Sequence, residues 1–155
     1  MLLLNGKDIN VLSPCLGLVH IVKAGDAGAL LKEAREAYLK AREELERSLE
    51  KGDTMLLRDA CEKGWLAIVK ATDALLEGRG LGKGESYKDR RDKLWELSRK
   101  DYAIETLGLH DRFGAREATL HIHGFYDGIV GLELANEELE KVERYLSDVE
   151  KLLSP

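Results

Sequence analysis

Two histidines and two arginines stand close together in the last third of the chain. His121 and His123 are two residues apart, Arg116 precedes them by five and seven positions, and Arg112 lies four residues earlier. An imidazole transfers protons near neutral pH, and a guanidinium binds phosphate through paired hydrogen bonds. These groups could assist attack by a ribose 2′-hydroxyl on its own phosphodiester. We therefore predict Arg116, His121 and His123 as catalytic residues, and Arg112 with Arg116 as phosphate ligands.

A structural role is the alternative for the same residues. His121 could be a core histidine, and Arg116 a surface partner of Glu117 or Asp127. On an α-helix the two histidines would lie about 160° apart, too far round the helix to bind one metal ion together. No cysteine is near them in the sequence. We therefore expect neither a metal site nor a cofactor.

The helix that carries these residues has two notable lines on an α-helical wheel. Side chains on the first line fall within about 60° of one another: Arg112, Arg116, His123 and Asp127. A second line, near His121, consists of glycines: Gly124, Gly128 and Gly131. Glycine inside a helix costs about 1 kcal/mol relative to alanine. The glycine line therefore indicates close approach by another helix, which a second copy of the chain could supply, and we predict a homodimer.

Hydrophobic residues recur at three- and four-residue steps through most of the chain, as in amphipathic helices. The pattern predicts helices over 26–51, 53–77 and 86–102, from 109 through the histidine motif, and over 135–153. Five helices with short links indicate an all-α, up-and-down bundle. We assign residues 26–155 to this bundle and residues 1–25 to an irregular N-terminal segment that packs on it.

Capping residues and glycines mark the ends of these helices. Asp26 and Asp53 are candidate N-caps, while Gly52 and Gly108 mark breaks. Between 78 and 84 every second residue is glycine, which indicates a flexible connector or, alternatively, a phosphate contact. The helix over 86–102 has a basic face, which is either solvated or one wall of a polyanion site. Its members are Lys88, Arg90, Arg91, Lys93, Arg99 and Lys100.

Composition limits the class of protein. Charged residues make up 34% and hydrophobic residues 44%, as in a globular domain, and the net charge of −5 argues against indiscriminate binding of duplex nucleic acid. The chain has no glutamine, which is typical of thermophiles. No segment has the length of a membrane span or the pattern of an export signal. We expect a cytoplasmic protein in which Cys15 and Cys61 are reduced.

Three segments resemble the HEPN superfamily, and in particular its archaeal PaREP1 branch. The spacing from Arg116 to His121 resembles the Arg-x4-6-His signature of HEPN domains. The segment 60–67, Ala-Cys-Glu-Lys-Gly-Trp-Leu-Ala, is similar to the Glu-Lys-Trp-x-Ala helix of PaREP1 proteins, and 120–127, Leu-His-Ile-His-Gly-Phe-Tyr-Asp, resembles their histidine segment. The resemblance covers roughly residues 26–153. It implies a helical bundle that dimerises with the signature at the dimer cleft.

The resemblance also implies two classes of function. Many HEPN proteins are metal-independent endoribonucleases of toxin or defence systems, in which Arg116 would hold the scissile phosphate and His121 would act as acid and base. Others bind RNA or a nucleotide without catalysis, or associate with a nucleotidyltransferase. The family spacing favours His121 as the acting histidine, with His123 as its auxiliary. Glu117 departs from the family pattern, in which a polar residue, often asparagine, follows the arginine. A carboxylate beside a phosphate site is unfavourable for ribonuclease activity.

Overall fold

The structure, a computed structural model, describes residues 24–155, and every regular element within this range is a helix. The α-helices are α1 (Ala24–Lys51), α2 (Thr54–Gly78), α3 (Tyr87–Lys100), α4 (Tyr102–Leu107), α5 (Leu109–Arg116) and α6 (Leu132–Leu153). A π-helical segment, Glu117–Tyr126, joins the end of α5. The predicted all-α bundle is confirmed. The predicted irregular segment 1–25 lies outside the described residues, except for 24 and 25, which begin α1.

Helices α1 and α2 form a hairpin whose turn follows from two residues. Gly52 has φ of +63°, a left-handed conformation that glycine adopts without steric cost. Asp53 then caps α2, because its Oδ1 atom accepts hydrogen bonds from the amides of Met55 at 2.8 Å and Leu56 at 3.3 Å. The prediction that Asp26 caps α1 is wrong, since the helix begins at Ala24 and places Asp26 in its first turn.

The region predicted as one helix over 86–102 consists of two helices. Ser86 caps α3, but the backbone of Asp101 is extended and ends it. The side chain of Asp101 then caps α4, accepting from the amide of Ala103 at 3.0 Å. Gly108, with φ of +62°, ends α4, which confirms the predicted break at this residue. The amphipathic pattern runs through Asp101 without a visible break, so it does not mark the residue at which α3 ends and α4 begins.

The core lies between α1, α2 and α6, with α3, α5 and the π-helical segment packed against α2. Alanines on the facing sides of α1 and α2 let these two helices approach closely. The buried alanines are Ala34, Ala37, Ala41, Ala60, Ala67, Ala71 and Ala74. The largest fully buried side chain is that of Trp65 on α2. It packs against Phe113 of α5 and Tyr87 of α3, with ring centroids 4.9 and 5.1 Å away.

The connector over residues 78–84, in which every second residue is glycine, is held at Gly84 by a carboxylate of α2. Asp73, buried on α2, accepts the amide of Gly84 at 3.0 Å and two hydrogen bonds from the guanidinium of Arg90, at 2.8 and 2.9 Å. Arg90 thus joins α3 to α2 beside the end of the connector. No helix in the described part of the chain is both long enough and apolar enough to cross a membrane.

Candidate functional site around His121

The histidine motif lies in a π-helical segment of ten residues. The π-helical pattern of hydrogen bonds, each to a carbonyl five residues earlier, extends to Asp127. The amide of Asp127 donates to the carbonyl of Ile122 at 2.9 Å. Helices of this kind are rare and are frequently found at functional sites. The predicted α-helical wheel therefore does not apply after Arg116. Gly128, with φ of +66°, and Gly131, at the N-cap of α6, both lie outside the helix, so the predicted line of three helical glycines is wrong.

His121 is joined to α2 by a carboxylate. Its Nδ1 atom lies 2.8 Å from Oε2 of Glu62, and its side chain is 13% exposed. An ionised carboxylate only accepts hydrogen bonds, so in the neutral imidazole Nδ1–H donates to Glu62 and Nε2 is the acceptor nitrogen. Glu62 lies within the segment 60–67, but no sequence pattern marks it as the partner of His121.

Aromatic rings surround the imidazole of His121. The ring centroid of Tyr126 is 4.9 Å away and that of Tyr87 is 5.2 Å away, both edge-on. The ring of Phe125 lies nearly parallel to the imidazole, with its centroid 6.4 Å away, and the ring of Trp65 is tilted by 30°, with its centroid 5.9 Å away. We call these four rings and His121 the aromatic cluster. It extends from the buried Trp65 to Tyr126, which is 62% exposed, so one side of the cluster is open to solvent.

Arg116 lies inside the bundle and faces α6. Its side chain is 11% exposed, and its Nε atom is 2.6 Å from Oε2 of Glu138, which is 2% exposed. The two atoms are in ionic contact but are not aligned as a hydrogen bond. Lys141 reaches the other oxygen of Glu138 at 2.7 Å. The predicted partners of Arg116 in its structural role, Glu117 and Asp127, are therefore wrong: Glu117 pairs with Arg91 of α3, and Asp127 is exposed.

Arg112 and His123 complete the predicted site but lie apart from His121. Arg112 donates to Oδ2 of Asp148 at 2.8 Å, and its guanidinium lies over the ring of Tyr145. The side chain of His123 is exposed. Within residues 24–155, no hydrogen bond or ion pair joins either arginine to either histidine. The residues that are neighbours in the sequence thus engage different helices.

Arg58 is a residue of the site that the sequence did not indicate. It lies on α2, and its Nε and Nη2 atoms donate to the carbonyls of Phe125 at 2.8 Å and Tyr126 at 2.7 Å. These carbonyls belong to the last turn of the π-helical segment, where a cation also interacts favourably with the helix dipole. No sequence pattern marks Arg58. Glu138, in contrast, could be identified from the sequence, because it is a charged residue within the apolar stripe of α6, between Ala135 and Leu139.

Gly124 fixes how closely the motif approaches α2. A Cβ atom at this position would lie 2.7 Å from Cβ and 2.8 Å from Sγ of Cys61, closer than real side chains approach. The close approach that the glycines indicated is therefore met at Gly124 by a helix of the same chain. Burial raises the pKa of the Cys61 thiol to about 11, with smaller contributions from the negative charges of Glu138 and Glu62.

The basic face of α3 is largely neutralised by carboxylates. Three of its cations pair along the helix or into the core, as Lys88–Asp92, Lys93–Asp89 and Arg90–Asp73. Two more pair as Lys100–Glu96 and Arg91–Glu117. The guanidinium of Arg99 lies 4.7 Å from the ring centroid of Trp95. These pairs favour the prediction of a solvated face over that of a polyanion-binding wall.

A separate surface at one end of the bundle exposes large apolar side chains. Leu49 is 69% exposed, Met55 59%, Ile129 71% and Leu132 36%. We call these four residues the apolar end. Leu132 and Leu49 also line a groove of about 200 Å³ between α1 and α6, together with Leu45, Arg42, Glu46 and Asn136. Leu49 and Leu132 thus share one apolar surface, and contiguous exposed apolar patches are typical of interaction surfaces.

Among residues 24–155, no group of three or more histidine, cysteine, aspartate or glutamate side chains is placed to hold a metal ion. Comparison of the chain with protein-family models and with curated proteins gives no match. Membership of the HEPN superfamily therefore remains an expectation that rests on the three sequence segments.

Proposed function

We propose that this chain is a HEPN-like helical module that dimerises through its apolar end and does not cleave RNA. The contact between Arg116 and Glu138 is the observation that supports the absence of RNA cleavage. A guanidinium that binds a scissile phosphate must offer its charge to the substrate. Here the charge of Arg116 is directed into the bundle, against a carboxylate that is 2% exposed.

The arrangement of His121 supports the same conclusion. Its Nδ1 atom faces Glu62 on α2, whereas Arg116 faces α6. A base and a phosphate ligand act together only when both reach the same reacting group. One contact favours the ribonuclease alternative: the hydrogen bond to Glu62 leaves Nε2 of His121 as an acceptor, as in catalytic histidines that are oriented by a carboxylate.

An RNA cleavage assay separates these two functions. A labelled single-stranded RNA pool is incubated in EDTA with the wild-type protein and with the Arg116→Ala and His121→Ala variants. We expect no cleavage above background from any of the three. Cleavage by the wild type that leaves 2′,3′-cyclic phosphate ends, and that falls about 10²- to 10⁴-fold in either variant, would establish the ribonuclease instead.

For the apolar end, we propose a second copy of this chain as the occupant. The rim of its groove carries both signs of charge, since Arg42 and Glu46 are one turn apart on α1. In a two-fold symmetric interface the same patch faces itself, so Arg42 of one copy can meet Glu46 of the other. Leu49 and Leu132 would then be removed from water together, which favours association.

Light scattering at micromolar concentration tests this dimer. We expect the wild type to be dimeric and the double variant Met55→Asp, Ile129→Asp to be monomeric and still helical. The control is Tyr102→Asp, because Tyr102 is also highly exposed but lies on α4, outside the apolar end. A monomeric wild type would contradict the proposal and would leave the surface to another protein, such as the nucleotidyltransferase that the resemblance implies.

A further inference from the structure

We propose that a cleft between α3, α4 and α5 docks an arginine side chain of another protein. Five aromatic or charged residues line it, and we call them the tryptophan cleft: Trp95 and Arg99 of α3, Glu105 of α4, and His110 and Asp111 of α5. None of them belongs to the histidine motif or to the apolar end. This surface therefore does not depend on the proposed dimer.

The size of the cleft favours a side chain of a protein over a small molecule. Its volume is about 230 Å³ and it is open to solvent, whereas sites that enclose a small molecule typically have about 300–1,000 Å³. A shallow cleft can still take one side chain of a protein partner, because the rest of the partner covers the surrounding surface and excludes water from the contact.

Trp95 provides the apolar contact. It is 52% exposed, whereas Trp65, the other tryptophan of the chain, is fully buried. Tryptophan is enriched among the residues that dominate the energy of protein–protein binding. The guanidinium of Arg99 lies 4.7 Å from the ring centroid of Trp95, so the indole already stacks with a planar cation. The exposed half of Trp95 can accept a second one from a partner.

Glu105 and Asp111 provide the charge complementarity. Both are exposed, and within residues 24–155 neither pairs with a lysine or an arginine; Asp111 contacts only Nδ1 of His110, at 3.4 Å. With His110 neutral, the cleft holds two carboxylates and one guanidinium, and this excess of negative charge attracts a cation. Arginine fits better than lysine, because a guanidinium both stacks on an indole and forms paired hydrogen bonds with a carboxylate.

Nuclear magnetic resonance of the full-length protein tests this docking. The two tryptophans give two indole N–H signals, one from the cleft and one from the core, and a Trp95→Phe protein assigns them. The probes are capped pentapeptides in which leucines flank a central arginine, lysine or glutamate. We expect the arginine peptide to shift the Trp95 signal saturably at millimolar concentration and to leave the Trp65 signal in place. A lysine or glutamate peptide that binds as tightly as the arginine peptide would overturn the proposal, as would the absence of any shift.

A double variant separates docking in the cleft from general attraction to an acidic protein. Glu105→Gln, Asp111→Asn removes two charges without changing the shape of either side chain, and should weaken the arginine peptide about 2- to 30-fold. Glu50→Gln, Glu137→Gln is the matched control, since it removes two exposed carboxylates outside the cleft and should bind as the wild type does. Equal affinities of the two double variants would overturn the proposal.

A further variant tests the contribution of the indole. Trp95→Ala removes an exposed side chain and leaves the core intact, so the fold should be unaffected. It should weaken the arginine peptide about 5-fold or more. Because this variant has no indole signal from the cleft, binding is followed by the backbone amide of Gly108, which also lines the cleft. Wild-type affinity in this variant would contradict stacking on Trp95.

Discussion

Nδ1 of His121 and Oε2 of Glu62 lie 2.8 Å apart, although the residues are 59 positions apart in the chain. This contact joins the two segments, 60–67 and 120–127, on which the resemblance to PaREP1 proteins depends. Trp65 stabilises the same junction by packing on His121. Gly124 does so by lacking a side chain, which leaves room for Cys61. The two segments therefore act as one structural unit, and substitutions in either should affect the other.

Replacement of Arg116 should destabilise the fold, whether or not the residue has a role with a ligand. Arg116→Met leaves Glu138 buried with only Lys141 as a partner. Removing one member of a buried ion pair typically costs about 3–5 kcal/mol, and the remaining lysine should reduce this to about 2–4 kcal/mol. Urea denaturation measures the change. The double variant Arg116→Met, Glu138→Met should recover most of the loss, and a double variant as unstable as the single one would contradict this explanation.

Gly124→Ala should destabilise the junction between the π-helical segment and α2. The new Cβ atom would meet Cβ and Sγ of Cys61 at 2.7 and 2.8 Å, and overpacking of this kind costs about 1–3 kcal/mol. The matched control is Gly131→Ala, because nothing lies within 4 Å of a Cβ atom there and its φ of −82° suits alanine. Thermal unfolding compares the two, and equal melting temperatures would show that the contact is not tight.

Arg58→Ala should loosen the end of the π-helical segment. It removes two hydrogen bonds from a charged donor to the carbonyls of Phe125 and Tyr126, each worth about 1.5–3 kcal/mol. Native-state amide exchange should become faster in residues 117–130 and remain unchanged in α1. Arg144→Ala, which removes an exposed arginine of α6, serves as the control. Exchange that increases equally throughout the chain would indicate general destabilisation instead.

Cys61 should resist alkylation at neutral pH, and ionisation of its thiol should lower the free energy of unfolding at alkaline pH. Its folded-state pKa of about 11 lies above the value of about 8.5 for an unfolded thiol. The buried thiol therefore contributes its stability fully below about pH 8.5, and this contribution is lost as the pH rises through 11. In a Cys15→Ala background, iodoacetamide should react with the native protein much more slowly than with the urea-unfolded protein. Equal rates would show an accessible thiolate.

The same prediction has a second readout in stability. Unfolding free energies of the Cys15→Ala protein and of its Cys61→Ala derivative, measured from pH 7 to 10.5, should converge toward alkaline pH. The derivative has no thiol at this position, so it cannot lose that contribution. A constant difference across this range would mean that Cys61 titrates alike in the folded and unfolded states.

The amino-acid sequence by itself determines the helical architecture of residues 24–155, because the signals involved are local. The apolar stripes, the capping side chain of Asp53 and the left-handed Gly108 act within one or two turns of their own positions. Local signals did not separate one continuous helix over 86–102 from the two helices α3 and α4. The boundary between them lies at one residue, Asp101, which both ends α3 and caps α4.

Only the tertiary structure decided the arrangement of the candidate site. The wheel that grouped Arg116 with His123 assumed α-helical turns, but the motif forms a π-helix, in which the angular position of every side chain changes. Contacts such as His121–Glu62 and Arg116–Glu138 join side chains on separate helices. They depend on how α2, α6 and the motif are rotated and spaced against one another. Those rotations are set by the packing of the whole core, and no short segment of the sequence contains that information.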